Sequence, residues 1–519
     1  MIRKGMSIRV RAVRRTGDED GPTEGILTMP TVETLTRVHR RQGAGLAVLA
    51  LAILLVSLDT FVMLLALPPI ASALGASSSQ QLWIMDVYGF MVAGFMITMG
   101  SLGDRIGRRR LLLGAAAVFG IASVVAAYST SPEMLIGARA GLGIAGAALT
   151  PCVLSIGMSL FDDPRRKAQA IGLLTGCFTV GAVIGPVVGG VLLQHFWWGS
   201  AFLIGVPAMV VLLIAGPFLL PEFRDQTAGR IDLPSVALSL GAILPAIQGL
   251  KQLASHGWGP VPAAFLVVGI TLGWLFVRRQ LRLTDPLLDL RLFRRLQFSA
   301  TLGSMAAYSM TSGGVMVFVA QYFQLVQGLS PLQAGLALVP GMLTSTVSFQ
   351  IAPVLARRIR PGRLTSGALL FTSAGMVLMV FADSVTGFVV AFAVECLGVA
   401  PLVVLGTNLV ISSAPPEKAG AAAAITQTGN EFGYALGIAI LGSIVTAVYR
   451  GSAPADAGDS LATALSAGLP EYPVDLAKSA FTDGVHVLAA IGAVVVTGLA
   501  VLLSRVLRSL PVLGDDGSH

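Results

Sequence analysis

The sequence predicts an all-α polytopic membrane protein with 14 transmembrane helices. Of its 519 residues, 54% are hydrophobic and only 12% are Asp, Glu, Lys or Arg, whereas soluble proteins carry roughly 25% charged residues. The apolar residues fall in repeated runs of about 20, the length that a helix needs to cross a hydrocarbon layer of about 30 Å. These observations exclude a soluble domain.

The apolar runs predict two blocks of six spans with two further spans between them. The first block covers residues 43–220 and the second covers 298–508, whereas 221–297 holds basic linkers and an inserted hairpin. The approximate spans are 44–70, 81–103, 110–130, 133–158, 168–193, 197–220, 233–250, 260–277, 298–325, 332–356, 363–383, 386–411, 419–449 and 485–508.

Three segments outside the spans have distinct compositions. Residues 1–42 are polar and basic, which predicts a disordered cytoplasmic tail, and residues 509–519 form a second, shorter tail. The loop 450–484 is the longest segment on the outer side. Its Ala, Gly, Pro and Asp content predicts a mobile cover with short helical pieces at most.

The positions of the positive charges support this topology. Nearly all of the 35 Lys and Arg residues lie in alternate segments between spans, which the positive-inside rule assigns to the cytoplasm. Only Lys251, Arg450 and Lys478 fall on the opposite side, and Arg139 lies within a span. We therefore predict that both termini are cytoplasmic, and we expect the protein in a bacterial plasma membrane. Topology then explains the net charge of +8 without a nucleic-acid partner.

Cofactors and nucleotide hydrolysis are not expected. Cys152, Cys177 and Cys396 each lie inside an apolar run without CxxC spacing, which excludes a disulfide framework and a zinc site. The five histidines are scattered, so no metal centre is predicted. No lysine follows a glycine, so the GxxxxGK[ST] loop that would bind ATP is absent from the sequence. No catalytic set of residues appears, which argues against an enzyme.

A glycine- and arginine-rich loop joins the second and third spans. Glycines permit a tight turn with close helix approach, and an acid at a helix end can pair with the arginines. A plain basic turn would need the arginines but not the Gly/Asp spacing. The loop resembles the signature loop of the major facilitator superfamily, and we predict a gating role for Gly100, Gly103, Asp104, Arg105, Gly107, Arg108 and Arg109.

The fifth span carries glycines at four-residue intervals, which give one helix face a bare backbone for close packing. The motif consists of Gly181, Gly185, Pro186, Gly189 and Gly190. It resembles the antiporter motif of exporters in that superfamily. Further segments around Asp59 and Arg139 make the resemblance closest to the fourteen-helix drug:proton antiporters, in particular quaternary-ammonium and dye efflux pumps. The resemblance implies two six-helix bundles that rock about a central site, with the hairpin inserted between them in the chain.

Ionisable side chains within the spans are functional candidates because the hydrocarbon layer disfavours charge. A buried carboxyl group can take up a proton from one side and release it on the other, and its charged form can attract an organic cation. We predict this role for Asp59, Asp86, Glu395 and Glu431, with Arg139 as a proton relay or a fixed counter-charge. The alternatives are a structural pairing of Asp59 with Arg139, and snorkelling of Asp86 and Glu395 to the outer headgroups.

Four aromatic residues are candidate cation–π contacts for a substrate, namely Trp83, Tyr308, Tyr322 and Tyr434. The alternative for each is packing or a lipid-facing position. Together these features predict a monomeric secondary transporter that exchanges protons for lipophilic, cationic drugs across the bilayer. A dedicated exporter of one endogenous metabolite or antibiotic is the main alternative, and the glycine motif argues against an importer.

Overall fold

The computed structural model describes residues 32–222, 224, 232–283, 292–413, 419–466 and 470–508. These residues are almost entirely helical, and 14 of their helical segments are long and apolar enough to cross a membrane. The predicted number of spans is therefore confirmed. Residues 1–31 of the predicted tail 1–42, the predicted tail 509–519 and the linker segment 284–291 lie outside the described residues.

Three of the first six spans begin at residues suited to helix starts. Ser77 and Gln80 form a capping box, and the side chains of Ser131 and Asp163 each accept a hydrogen bond from the first turn of a helix that starts with proline. The helices are α1 (Val32–Leu74), α2 (Ser78–Ile106), α3 (Arg108–Ala127), α4 (Pro132–Ser159), α5 (Pro164–His195), α6 (Ser200–Leu203) and α7 (Val206–Leu219), of which α6 and α7 share one span.

The hairpin and the second set of six spans follow. The hairpin consists of α8 (Leu233–His256) and α9 (Pro260–Gln280). The remaining helices are α10 (Leu296–Gln321), α11 (Pro331–Ala356), α12 (Pro361–Val380), α13 (Val385–Leu397), α14 (Val399–Ser413), α15 (Ala419–Ser452), α16 (Leu461–Ser466) and α17 (Glu471–Val506). Helices α13 and α14 share one span, which is interrupted at Gly398.

Two predicted boundaries are wrong at the ends of the chain. Helix α1 starts at Val32, inside the segment 1–42 that was predicted to be disordered. Its polar start is docked, because Arg41 Nη2 donates to the Phe218 carbonyl at 2.6 Å and Gln42 Nε2 donates to the Leu160 carbonyl at 2.8 Å. Helix α17 starts at Glu471, so much of the predicted outer loop 450–484 is part of the last span.

Tertiary packing explains the early start of α17. Ala477, Ala480 and Phe481 are buried in its first turns. Gly484 approaches α15 so closely that a Cβ at this position would lie 3.0 Å from the Val445 side chain. The charged residues between these positions lowered the local hydropathy and hid the helix from a sequence-based count.

The bundle formed by α1–α7 contacts the bundle formed by α10–α17 along two seams. We call the end of the molecule with Trp258 the Trp258 end, and the opposite one the Asp104 end. At the Trp258 end, a Cβ on Gly190 of α5 would lie 2.6 Å from the Leu332 Cα of α11, and one on Gly442 of α15 would lie 2.5 Å from the Leu82 side chain of α2. These approaches join the bundles tightly at this end.

The short helix α16 covers the junction of the bundles at the Trp258 end. Gln81 Nε2 of α2 donates to Ser460 Oγ, just before α16, at 2.9 Å. A cavity beneath it, lined by Leu67, Phe318 and Tyr449 among others, has a volume of only about 40 Å³. The space is far smaller than the roughly 300–1,000 Å³ of typical small-molecule sites, so this end is closed.

Candidate functional site

A buried ion pair joins α1 to α4 in the first bundle. Asp59 and Arg139 are 1% and 2% exposed, and Arg139 Nη1 lies 3.7 Å from Asp59 Oδ2. Arg139 Nε also donates to the Ile84 carbonyl of α2 at 3.0 Å, and its guanidinium carbon lies 4.9 Å from the centre of the Tyr88 ring. Arg139 is therefore held by three contacts from α1 and α2, while both oxygens of Asp59 lack a hydrogen bond among the described residues.

Tyr88 connects this pair to the second bundle. Its ring centre lies 4.9 Å from the guanidinium carbon of Arg139, and a Cβ on the next residue, Gly89, would lie 3.8 Å from the Glu431 carbonyl of α15. The two helices meet closely here, because a Cβ on Gly89 of α2 would lie 2.9 Å from the Ala435 Cβ of α15. Glu431 is half-buried. Glu431 of the second bundle therefore lies at the seam near Gly89, and Tyr88 on the same stretch of α2 contacts Arg139, the partner of Asp59.

Asp86 on the same helix α2 has a different partner. Its Oδ2 atom lies 2.7 Å from Lys251 Nζ of α8, and both side chains are fully buried. Snorkelling of Asp86 to the headgroups is therefore wrong. The ammonium of Lys251 also lies 3.9 Å from the centre of the Trp83 ring, and Trp83 Nε1 donates to Gln248 Oε1 at 2.6 Å.

Lys251 is a residue that the sequence analysis misplaced. It was assigned to an outer loop because the predicted span ended at residue 250, but α8 continues to His256. Lysine lowers the local hydropathy, and its partner Asp86 lies far away in the chain. The sequence signal for a buried cation was Asp86, an acid in the outer half of the second span.

Glu395 lies within the second bundle, apart from the α2 cluster. It is 1% exposed, so snorkelling is also wrong for this acid. It occupies the last turn of α13, where Cys396 Sγ contacts Glu395 Oε2 at 3.3 Å and the Tyr308 phenol of α10 lies beside it. Gly375 of α12 permits the close approach, since a Cβ there would lie 2.3 Å from the Glu395 backbone nitrogen.

The glycine motif of α5 packs against α1, the helix that carries Asp59. A Cβ on Gly181, Gly185 or Gly189 would lie 2.7 Å from the Leu54 carbonyl, 2.7 Å from the Phe61 Cβ and 3.0 Å from the Val62 side chain, respectively. Gly190 and Pro186 face α11 instead, where the Pro186 carbonyl approaches Gly335. The motif therefore sets the distance of α5 from both α1 and the second bundle.

The loop between α2 and α3 forms a charge cluster at the Asp104 end. Asp104 Oδ1 accepts from Arg108 Nε at 2.8 Å. Arg109 Nε lies 3.4 Å from Oε2 of Glu222, an acid after α7 that sequence reasoning missed. Gly107 has a φ angle of +110°, and a Cβ there would also collide with Glu222.

Three other positions of this loop differ in their packing. A Cβ on Gly103 would lie 3.0 Å from the Arg108 side chain, whereas a Cβ on Gly100 would meet open space. Arg105 is exposed. The pairing of Asp104 and Glu222 with arginines therefore involves the part of the motif from Gly103 onward.

The four predicted aromatic contacts occupy different environments. The Trp83 ring makes a cation–π contact with Lys251, and Tyr308 lies beside Glu395. Tyr322 is 1% exposed and packs against Phe388 with ring centres 4.0 Å apart and ring planes tilted by 30°. Tyr434 lies three residues after Glu431 and is partly exposed, so of the four aromatics it is the one nearest to the acids at the α2–α15 seam.

Comparison with known proteins gives the family. The profile described as Major Facilitator Superfamily matches residues 49–438. The chain belongs to the Major Facilitator Superfamily. This result confirms the resemblance drawn from the loop and glycine motifs, and it places the chain among multi-pass membrane transporters.

Similar members of the superfamily include several export and resistance proteins. The multidrug efflux pump LfrA of Mycolicibacterium smegmatis is 39% identical, with 91% of this chain and 98% of the relative covered. The methyl viologen resistance protein SmvA of Salmonella typhimurium is 34% identical over 80% of this chain and 85% of the relative. The tetracenomycin C resistance and export protein of Streptomyces glaucescens is 31% identical over 77% and 75%, respectively.

Solved structures of the superfamily share the fold. A bacterial homolog of the human lysosomal transporter Spinster, in an inward-facing and unoccupied conformation, aligns with a TM-score of 0.67 at 17% identity, covering 91% of this chain and 98% of that one. The peptide transporter POT in complex with sulfate aligns with a TM-score of 0.61 at 18% identity, over 89% of this chain and 95% of that one.

Proposed function

We propose that this transporter is a proton-coupled efflux antiporter that exports lipophilic, cationic compounds by alternating access. The observation that carries the proposal is that Glu431 of the second bundle lies at the seam near Gly89, next to Tyr88, which contacts the buried Asp59–Arg139 pair of the first bundle. The names of the similar LfrA and SmvA proteins support efflux and a cationic substrate class.

The chemistry of the seam supports exchange. A carboxyl group in a low-dielectric site is stable when it is neutral or when a cation lies beside it. A proton and an organic cation therefore compete for the same acid, and binding of one favours release of the other. Arg139 is the fixed counter-charge for Asp59 in this scheme, whereas half-buried Glu431 is reachable by a substrate, with Tyr434 as its cation–π contact.

Alternating access makes the exchange of proton and substrate directional, because the site opens to one side of the membrane at a time. The tight approaches at the Trp258 end and the 40 Å³ cavity beneath α16 describe a closed gate at that end. With the loop motif on the cytoplasmic side, as the positive-inside rule predicts, the closed end is the outer end of a monomeric transporter in the bacterial plasma membrane, as alternating access requires while the site is open to the inside. Reporter fusions at both termini test this orientation, and termini on opposite sides would contradict it.

Inside-out vesicles with an acidic interior and a pH-sensitive dye test the coupling. We expect benzalkonium or ethidium to release protons through the wild-type protein but not through Asp59→Asn or Glu431→Gln. Asp162→Asn, at an exposed acid in the loop before α5, is the matched control and should behave like wild type. Substrate-dependent proton release that persists in both seam variants would contradict the proposed coupling.

The second candidate is an exporter dedicated to one compound made by the same cell. Similarity to the tetracenomycin C resistance and export protein, and to the cephamycin export protein CmcT of Amycolatopsis lactamdurans, favours it. If folded protein releases no protons with any cationic drug but does so with a single metabolite from a cell extract, the dedicated exporter replaces the multidrug pump.

A further inference from the structure

The inserted hairpin of α8 and α9 is packed as one unit. A Cβ on Gly269 of α9 would lie 2.8 Å from the backbone of α8, so the two helices are in close contact near their middle. At the Asp104 end, Arg279 Nη2 pairs with Asp232 Oδ1 at 2.8 Å, and Gln280 Nε2 donates to Ser235 Oγ at 2.6 Å. Contacts near the middle and at the Asp104 end hold the two helices together, so the hairpin moves as a single body.

This unit lies across the seam between α2 and α15. Ile247 of α8 is buried in one cluster with Phe90 of α2 and with Ala435 and Ala439 of α15. Gly94 of α2 leaves the space that the Leu240 side chain of α8 occupies, since a Cβ on Gly94 would lie 2.5 Å from it. The hairpin therefore contacts both bundles at the same seam.

The two sides of this contact differ in chemistry. On the α2 side, the buried pair of Lys251 and Asp86 is flanked by Trp83, whose indole donates to Gln248 of α8. On the α15 side, the cluster is built from the apolar side chains of Phe432, Leu436 and the two alanines. A buried ion pair is costly to separate because each charge would lose its partner, whereas apolar surfaces in a membrane exchange one apolar neighbour for another.

Alternating access moves α2 relative to α15, so the hairpin cannot keep both contacts unchanged. We propose that Lys251 fixes the hairpin to the first bundle through Asp86, and that the hairpin travels with this bundle and slides over α15. Lys251 is thus a positioning residue, and Asp86 is occupied by an internal cation instead of carrying the transported proton. The proposal rests on the alternating-access function proposed above.

Distances between spin labels test the movement. Trp258 on the hairpin, Tyr128 after α3 and Tyr472 on α17 are exposed at the same end. Each pair is replaced by cysteines in a transport-competent background in which the three native cysteines are alanine. Between acidic buffer and alkaline buffer with benzalkonium, we expect the 128–258 distance to stay constant and the 258–472 distance to change by several ångström.

The opposite pattern, with 258–472 constant and 128–258 changed, would overturn the proposal. The 128–472 pair reports the movement of the bundles themselves, so a constant distance there would instead refute alternating access and the inference with it. These distances are measured with Lys251 and Asp86 intact and so do not depend on how their variants fold.

Charge-pair variants test the role of Lys251 directly. Lys251→Met should broaden the 128–258 distance distribution and lower the amount of folded protein, because Asp86 is left buried without its partner. The double variant Lys251→Met with Asp86→Leu removes both charges, and we expect it to recover folded protein and substrate-dependent proton release. An unchanged 128–258 distribution in Lys251→Met would refute the anchoring role. A double variant that folds but releases no protons would contradict the expectation that Asp86 is dispensable for proton transport.

Discussion

Removal of Arg139 should destabilise the protein through the charge that it leaves behind on Asp59. The side-chain atoms of Arg139 and Asp59 are 3% and 1% exposed, and Arg139 Nη1 lies 3.7 Å from Asp59 Oδ2. At that separation, unit charges attract by about 4.5 kcal/mol for an effective dielectric constant of about 20. Measured losses when one partner of a buried pair is removed are about 3–5 kcal/mol. We therefore expect Arg139→Met to lower the free energy of unfolding by about 3–5 kcal/mol.

The matching double variant distinguishes a charge effect from lost packing. Asp59→Leu with Arg139→Met removes both charges, and replacement of a buried pair by apolar residues is often neutral or stabilising. The double variant should therefore lie closer to wild type than Arg139→Met alone does. Equilibrium unfolding of purified protein in mixed micelles of mild detergent and SDS, followed by helical circular dichroism, measures each free energy.

An exposed ion pair of equal length provides the control. Arg450 Nε lies 3.7 Å from Asp459 Oδ1, but the two side chains are 35% and 53% exposed. Solvent screens this pair, so Arg450→Met should cost only about 0–1 kcal/mol. The reasoning is refuted if Arg139→Met costs no more than Arg450→Met, or if the effects of the two substitutions at Asp59 and Arg139 simply add within about 0.5 kcal/mol.

Three further predictions concern backbone approach and pH. Gly107→Ala should reduce transport because the positive φ of this residue strains other amino acids by roughly 1–3 kcal/mol and an added Cβ would collide with Glu222, whereas Gly114→Ala, where a Cβ meets open space, should transport normally. Gly185→Leu should abolish transport by separating α5 from α1, and Gly172→Leu on an open face of the same helix should not; equal activities would contradict the packing role. Partial burial tends to raise the pKa of Asp232, but hydrogen bonds outweigh it and the pKa lies below the ordinary value of 3.8. Its stabilising effect is therefore complete above pH 3.8 and decreases as the pH falls toward the lowered pKa; thermal unfolding of Asp232→Asn should lose this dependence below pH 3.8.

Local sequence patterns were sufficient for the spans and the glycine motifs, because hydropathy and residue spacing act within one helix. The buried pairs were harder to predict. Asp59 and Arg139 were candidates for a pair because both are charged within spans, but Lys251 was assigned to a loop since its charge ended the apolar run. Its burial depends on Asp86, which only the tertiary fold brings near. The same limit applies to Glu222, because its role depends on the ion pair with Arg109, which is distant in the chain.

The position of Asp86 and Tyr88 on α2 links two distant parts of the molecule. Residues two apart in a helix point about 200° away from each other, so one of these side chains faces the hairpin and the other faces Arg139 and the seam. A rotation of α2 that improves one contact disturbs the other. Substitutions in the hairpin that never touch a substrate can therefore alter transport, and genetic suppressors of a defect at the seam should be sought in α8 as well as around Arg139 and Glu431.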